Sequence, residues 1–553
     1  MSNGKVYGID LGTTYSCIAH VDEHGKPVVV PNAEGDLTTP SVVFFESEDN
    51  IVVGQAAKEV ASIYTDRCIS TVKRSMGNSA WEREFFGQTY KPQDVSSFIL
   101  RKLVNDAQAI TGDEIKDVVV TCPAYFGVNE KEATKQAGIV AGLNVLYVIP
   151  EPTAAALAYG IEQDDDQVIM VYDLGGGTFD VTLIEIKGGA ITVICTGGDH
   201  ELGGKDWDEA IVTYFAERFQ EETGTSADDL LDDEETYQEL LNAAENHKKG
   251  LSSRQSIVQG VRFGADRARV ELTRERFDEI TSSYLERTIM LTEQELEKAK
   301  SKGFERIDKL LLVGGSTYMP QVMEKVESEF DFEILQFDPN QAVAKGAALF
   351  GYKYQLEEDL KGIIASATGQ SAEDVDLEKT DAKALAKAQE EVAVEAGLSL
   401  AGVKSITEKK ITNVASKSFG VKVMNEEHRE VATNLIEMDS KVPADITRKF
   451  GTYEEGQIQV DVVCLENKVT GESSFELDRC NRLGQAELKF QKPLPKGSPI
   501  EITFTLKADG LLEISGRDLE TGGEFETTFQ TEAVMSKEEI EASKNRNLAL
   551  KVA

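Results

Sequence analysis

An α/β domain made of two duplicated halves, followed by a mainly-β domain of sandwich type, is the fold the sequence predicts, and three observations carry it. Between Val6 and about Tyr354, short β-branched runs alternate with helical stretches. Within that span the same turn, an aspartate followed by glycine and threonine, closes an apolar run at Asp10 and again at Asp173. Beyond Ile411 the apolar period shortens to two, the spacing of strands with one buried face.

Taken in order, residues 1–354 hold the apolar runs Val6–Ile9, Val118–Val120, Val168–Tyr172 and Leu310–Val313, with helical periods such as Ser96–Ile110 and Asn129–Gly142 among them. Residues 355–411 read as an acidic helical connector. Leu356, Leu360 and Ile364 recur at i+4 spacing, and Asp381–Glu395 is rich in good helix formers and ends near Gly397. In residues 412–535, Ile458, Val460 and Val462 alternate with Gln459 and Asp461. Ile500, Ile502, Phe504 and Leu506 likewise alternate with Glu501, Thr503 and Thr505. Asp509-Gly510 then separates that run from Leu512–Ser515, a hairpin signal because Asp-Gly tolerates the positive φ of a tight turn. Residues 536–553 open with Ser536-Lys537-Glu538-Glu539, the shape of a capping box, and predict a short charged helix.

The 553 residues carry 97 Asp+Glu against 58 Lys+Arg, a net charge of −39. That balance offers no basic stripe to a phosphate backbone, so nucleic acid is not an expected partner. No apolar run approaches the roughly 20 residues that span a bilayer, so no membrane association is expected either. Met1–Lys5 leads into a strand-like run without the apolar core of a signal peptide, and a cytoplasmic location is expected. Cys17, Cys68, Cys122, Cys195, Cys464 and Cys480 form no C-x-x-C pair, which predicts reduced thiols. None of the 5 histidines stands beside a Ser or Cys in a nucleophile motif, so triad chemistry is not expected.

The repeated turn is chemically specific. Gly8-Ile9-Asp10-Leu11-Gly12-Thr13-Thr14 and Tyr172-Asp173-Leu174-Gly175-Gly176-Gly177-Thr178-Phe179-Asp180 share one composition. Glycines let backbone N–H groups approach a phosphate, threonine adds a hydroxyl donor, and the aspartate can hold the hydration shell of Mg²⁺. Two copies suggest a nucleotide held between two halves. Competing phosphate motifs are missing: no G-x-x-x-x-G-K-[ST] occurs, and no G-x-G-x-x-G opens a helix after a strand.

Longer motifs then fall in order along the chain: Gly8–Tyr15, Val119–Phe126, Glu151–Gly160, Asp173–Asp180, Leu202–Asp208 and Leu312–Thr317, with Asp509–Leu512 and Ser515–Asp518 in the second domain. In these residues the chain resembles the 70-kilodalton heat-shock (DnaK-type) chaperone family, whose first domain has the actin-like (ribonuclease H-like) ATPase fold. The resemblance implies ATP or ADP as ligand, Mg²⁺ with a monovalent cation such as K⁺, and slow hydrolysis of ATP to ADP and phosphate. By position it implies that Asp10, Asp173 and Asp180 organise the cations and that Thr13, Thr14 and Thr178 donate to phosphate oxygens. Lys73 would reach the γ-phosphate and the attacking water, and Glu151 would help to place that water. Gly12, Tyr15, Gly175, Gly176, Gly177, Gly203 and Gly204 join the implied nucleotide-binding set. Gly314, Gly315 and Ser316 would line the adenosine, with Glu245, Lys248 and Ser252 on the ribose and base. Where the family sandwiches adenine between two arginines, this chain has Lys249 and Tyr318.

In the β-domain the resemblance implies a cleft for extended apolar segments of unfolded polypeptides, running along Val421, Val423, Met424, Phe450, Tyr453, Ile458 and Val460, with Met424 and Tyr453 arching over it. For Phe450 and Val460 a place in the sandwich core is an equal reading. A J-domain co-chaperone and a nucleotide exchange factor are also implied, yet several contact positions depart from the family. Lys131 replaces an arginine near the interdomain surface, Tyr147 replaces the arginine that meets the J-domain, and Pro150 replaces an asparagine. The connector stands where a short leucine-rich linker is usual, and only the stub 536–553 stands where the family has a helical lid. Two readings follow: an ATP-dependent chaperone of lidless type, and a nucleotide-binding regulator or co-chaperone of the same fold that does not cycle peptides. A small-molecule kinase on the same fold is a third, which the β-domain argues against.

Overall fold

The computed structural model describes residues 5–160, 165–469, 474–528 and 534–553. Two mixed sheets with one strand order form the first domain. In the first, the strands run Asn144–Pro150, Asp117–Cys122, Tyr7–Asp10, Tyr15–Val21, Pro27–Val30. Tyr7–Asp10 pairs antiparallel with Tyr15–Val21 on one side and parallel with Asp117–Cys122 on the other. The second sheet repeats this: Gln167–Leu174 pairs antiparallel with Phe179–Lys187 and parallel with Lys309–Val313, which pairs parallel with Glu333–Gln336. The repeated turn therefore belongs to a repeated topology, and the two halves are here termed lobe I and lobe II. A small sheet of Asn50–Val53, Val42–Phe45 and Cys68–Ser70 is appended to lobe I.

The lobes meet at one end through two helices, Glu151–Gly160 and Ala342–Thr368, whose small residues let backbones touch. A Cβ on Gly346 would lie 1.7 Å from the Ala154 carbonyl oxygen, and one on Gly8 would lie 2.1 Å from the Ala348 nitrogen. Ala154, Ala344, Ala347 and Ala348 share one core with Val119 of lobe I and Ile169, Val171 and Val313 of lobe II. This seam closes the base of an interlobe cleft and leaves the two glycine turns facing each other across it.

Ala342–Thr368 runs for 27 residues and ends at Gly369, whose left-handed conformation caps it. Ala382–Glu395, capped by the Asp381 carboxylate, and Leu400–Thr407 fold back on its second half. Leu356, Leu360, Ile364, Val392 and Val403 give this connector a small core of its own. The chain leaves it as the strand Ile411–Val414, which pairs parallel with Ala190–Asp199 of lobe II and antiparallel with Lys441–Val442. The sheet of lobe II thus continues into the β-domain.

That domain is a sandwich of two four-stranded sheets. One orders Glu430–Ile436, Ser418–Met424, Gln457–Asn467 and Cys480–Leu494; the other orders Ala444–Gly451, Pro499–Leu506, Leu512–Asp518 and Glu524–Thr528. Phe419, Val421 and Cys464 face Ile502, Phe504 and Ile514 between them. Asp509-Gly510 forms the turn of a hairpin in which Leu506 opposes Leu512.

The chain then returns to lobe I. The helix Lys537–Ala549 packs on Val128–Val140 and Pro92–Thr111, and Lys551–Val552 adds a parallel strand to Asn50–Val53. The six cysteines are free thiols, four of them buried. Among the described residues, no helix is long and apolar enough to cross a membrane.

Candidate functional site

Each strand of the duplicated pair delivers its turn to the same cleft. In lobe I, Gly12 donates to Ser16 Oγ at 3.1 Å, and Ser41 Oγ donates back to the Gly12 carbonyl at 2.8 Å. A Cβ on Gly12 would fall 1.8 Å from the Tyr15 carbonyl oxygen, so only glycine fits this turn. In lobe II the Gly175 N–H bonds the Thr178 carbonyl at 3.0 Å, and Gly204 and Lys205 donate to the Gly175 and Gly176 carbonyls. The loops touch: Gly176 abuts Thr14, and Gly177 abuts Thr13.

Between them lies a cavity of about 480 Å³. At one end it is lined by Asp10, Gly12, Thr13, Thr14, Lys73, Glu151, Asp173, Gly175, Gly176 and Thr178. At the other end it is lined by Tyr15, Glu245, Lys248, Lys249, Ser252, Gly314, Gly315, Ser316 and Tyr318. Four residues of the expected set stand behind this lining. Gly177 and Gly203 back onto each other, Gly204 accepts from Lys248 Nζ at 2.6 Å, and Asp180 accepts from the Ala124 N–H at 3.1 Å.

Charge is concentrated at the end that holds Lys73 and Glu151. Lys73 and Glu151, both buried, form an ion pair. Burial works against the Lys73 ammonium, but Glu151 and Asp10 outweigh it and hold its pKa above the ordinary lysine value. Burial, reinforced by Glu151, pushes Asp10 up to about 7 against the pull of Lys73 and of Thr121, which donates to it at 3.0 Å. Asp173 and Asp180 are raised well above the carboxylate range for the same reasons, burial first and Glu151 second. Asp180 Oδ2 is buried without a hydrogen-bond partner. The carboxyls of Asp10, Glu151, Asp173 and Asp180 are thus crowded around the single Lys73 ammonium.

At the opposite end Glu245 accepts from the Tyr15 hydroxyl at 2.6 Å, from Lys249 at 2.7 Å and from Lys58. Burial alone would raise this carboxyl, but Lys58 and Lys249 draw it down to about 2. Lys248 pairs with Asp208 at 2.7 Å, and burial still lifts Asp208 to about 6. Ser316 Oγ donates to the Gly175 carbonyl at 2.8 Å, tying the two glycine loops of lobe II together. Tyr318 is 47% exposed at the rim. Asp208, Lys205 and Asn340 also line the cavity, although no role was expected for them. Asp208 and Lys205 stand in the Leu202–Asp208 motif, which was the available signal; Asn340 had none.

The β-domain residues divide by exposure. Val421 is in the sandwich core, and Val423, Phe450 and Val460 are packed partly against it. Met424 and Ile458 are exposed at 38% and 63%. Ser418–Val421 pairs with Cys464–Asn467, and beyond that point the ladder stops. Val423 and Met424 on one strand and Ile458 and Val460 on the other thus flank an unpaired stretch. Tyr453 shares a hydrogen bond of 2.7 Å with His428 Nδ1 and lies under Lys496.

The departures gather where the domains touch. The Tyr147 hydroxyl donates to the Ala508 carbonyl, and Lys131 lies against Gly510. Pro150 and Asn413 line one small groove, and Thr153 Oγ1 donates to Asn413 Oδ1 at 2.8 Å. The Glu466 carboxylate accepts from the Val128 N–H at 3.1 Å, at the N-terminus of the helix Val128–Val140.

Two lobes of one topology enclose a carboxylate-rich cleft, and a β-sandwich is joined to their sheet, which defines a two-lobed α/β protein with an appended second domain. The sequence matches the family described as Hsp70 protein over residues 6–85, 79–365 and 377–551, and the chain belongs to that family. Membership implies an actin-like ATPase domain and a β-sandwich substrate domain, with which the mixed sheets and helices agree. Members are ATPases that bind ATP or ADP with Mg²⁺ and act on unfolded polypeptides together with J-domain and exchange-factor co-chaperones. The cleft suits a hydrated Mg²⁺. Its carboxyls are crowded and Asp180 Oδ2 lacks a partner, yet among the described residues no three side chains converge as direct ligands.

Proposed function

We propose that the protein is an ATP-dependent chaperone that hydrolyses ATP in the interlobe cleft and binds extended apolar segments in its β-domain. The observation that carries the hydrolytic half is the buried Lys73–Glu151 pair at the junction of the two glycine turns, beside Asp10 and Asp173. Backbone donors and threonine hydroxyls of both loops would bind the β- and γ-phosphates, and Lys73 would neutralise charge developing on the γ-phosphoryl group. Glu151, held in orientation by Lys73, would accept a hydrogen bond from the attacking water. When bound, Mg²⁺ would supply further charge neutralisation, its hydration shell held by Asp10, Asp173 and Asp180, with K⁺ as a companion cation.

Support for peptide binding comes from the unpaired stretch flanked by Met424 and Ile458, whose side chains are exposed although apolar. The six free thiols fit a reducing, cytoplasmic setting. A J-domain partner would meet Tyr147 in an altered contact, because its hydroxyl is engaged by the Ala508 carbonyl of the β-domain.

The test is ATP turnover by the full chain with and without a Leu-rich peptide, beside Lys73→Ala. Turnover that the peptide changes, and that falls about a hundredfold in the variant, is the expected result. Turnover indifferent to peptide would favour the alternative, a nucleotide-binding regulator or co-chaperone with a fixed β-domain, which the contacts of Tyr147 and Glu466 across the interface support.

A further inference from the structure

Lys73 and Arg74 are neighbours on the 3-10 turn Val72–Ser75 of lobe I, yet their side chains part. Lys73 stays on the lobe I side with Glu151, whereas Arg74 crosses to lobe II. Its Nε and Nη2 donate to the Gly177 carbonyl at 2.9 and 2.7 Å, and Nη2 pairs with Asp206 Oδ2 at 3.2 Å. The same Asp206 oxygen accepts the Gly203 N–H at 2.7 Å, closing the first turn of the helix Gly204–Thr223.

The carbonyls of Gly175 and Gly176 are fixed from within lobe II, by the N–H groups of Gly204 and Lys205. The third carbonyl, that of Gly177, is fixed by lobe I through Arg74. In a trans peptide C=O and N–H point to opposite sides, so anchoring the Gly177 carbonyl away from the cavity turns the Thr178 N–H the other way. Thr178 lines the cavity, whereas Gly177 and Arg74 do not.

We infer that Arg74 is a positioning residue: it locks the Gly177–Thr178 peptide so that Thr178 presents its N–H to a bound phosphate, and it fixes the spacing between that donor and Lys73 on the adjoining residue. The inference rests on the ATPase reading of the cleft. A planar fork suits the task because two of its nitrogens reach one carbonyl while one also serves Asp206; a lysine ammonium, a single point of charge, cannot reproduce that geometry.

The experiment compares wild type, Arg74→Ala, Arg74→Lys and Asp206→Asn in ATP turnover and in equilibrium binding of ATP and of adenosine. In Arg74→Ala, turnover at saturating ATP is expected to drop about a hundredfold. ATP affinity should drop about tenfold while adenosine affinity holds within about twofold, because adenosine makes no phosphate contact. Arg74→Lys should recover only part of the loss. Asp206→Asn, which keeps an acceptor for Gly203 and the Arg74 fork on Gly177, should shift the ATP-to-adenosine ratio in the same direction by less. Equal losses for ATP and adenosine, or an unchanged ratio, would overturn the inference. If wild type binds ATP without hydrolysing it, the ATPase reading fails, and the affinity ratio alone still decides the role of Arg74.

Discussion

A Cβ built on Gly177 would stand 2.3 Å from Thr13 Cγ2, and one on Gly176 would stand 2.0 Å from Thr14 Oγ1. The threonine in each case belongs to the opposite lobe and its own Cβ lies within 2.8 Å of the added carbon, so rotating it gives no relief and even a methyl group must push the two glycine loops apart. Gly177→Ala is therefore expected to weaken nucleotide binding about tenfold or more, with a stability loss of about 1–3 kcal/mol from overpacking. Gly260→Ala is the control: the strand position is open, with nothing within 4 Å of the added carbon, and neither quantity should move. A fluorescent-nucleotide titration and a thermal melt read both. These glycines were legible in the sequence because a close-approach turn is a local signal, Gly-Gly-Gly-Thr after a strand. The motif Leu202–Asp208 marked Asp208 but not its partner, since only the tertiary fold sets Lys248 across from it.

Among the elements, the C-terminal helix shows where local signals stop. Its capping box is present as expected: Ser536 Oγ accepts from the Glu539 N–H at 3.2 Å, and Glu539 Oε2 accepts from the Ser536 N–H at 2.7 Å. Its docking face had no hydrophobic stripe to betray it, because the contact with lobe I is largely polar. Arg546 pairs with Asp94, Asn547 is fully buried and donates to Asp94 and Ser97 at 3.1 Å, and Arg101 binds the Asn547 and Leu550 carbonyls. Beyond the helix, Ala553 bonds the edge of the small sheet: its carbonyl accepts from the Val53 N–H, and its own N–H donates to the Ile51 carbonyl, both at 3.0 Å. Asn547→Leu removes both donors and leaves the nearly inaccessible Asp94 carboxylate short of a partner, at an expected cost of about 1–3 kcal/mol. The Val53 amide is the reporter. It should exchange faster in the variant while amides of the central strand Tyr7–Asp10 keep their protection, and equal protection of Val53 in both proteins would refute the coupling of helix to strand.

At the scale of the whole molecule, the β-domain is held between the lobes at both of its ends, by the strand Ile411–Val414 in the sheet of lobe II and by the C-terminal segment on lobe I. Alternation and turn chemistry made the two-part fold readable, but not this arrangement, because contacts such as Glu466 with Val128 join residues far apart in sequence and leave no periodic trace. Glu466 is 2% exposed at that interface, where its carboxylate meets the N-terminus of the helix Val128–Val140. Burial raises its pKa, Lys417 opposes the rise and Glu130 adds to it, so that the docked carboxyl takes up a proton more readily than a free one near about 4.3. The sign follows. Between the free and the raised value the docked form holds more protons than the undocked form, so docking strengthens as pH falls through that window and weakens as pH rises through it. Glu466→Gln keeps a carbonyl oxygen for the Val128 N–H and removes the buried charge. It is expected to dock more tightly than wild type at neutral pH and to lose the pH dependence. Energy transfer between dyes on lobe I and the β-domain, followed through urea titrations at stepped pH, measures this directly; parallel pH slopes in the two proteins would assign the titration to another group.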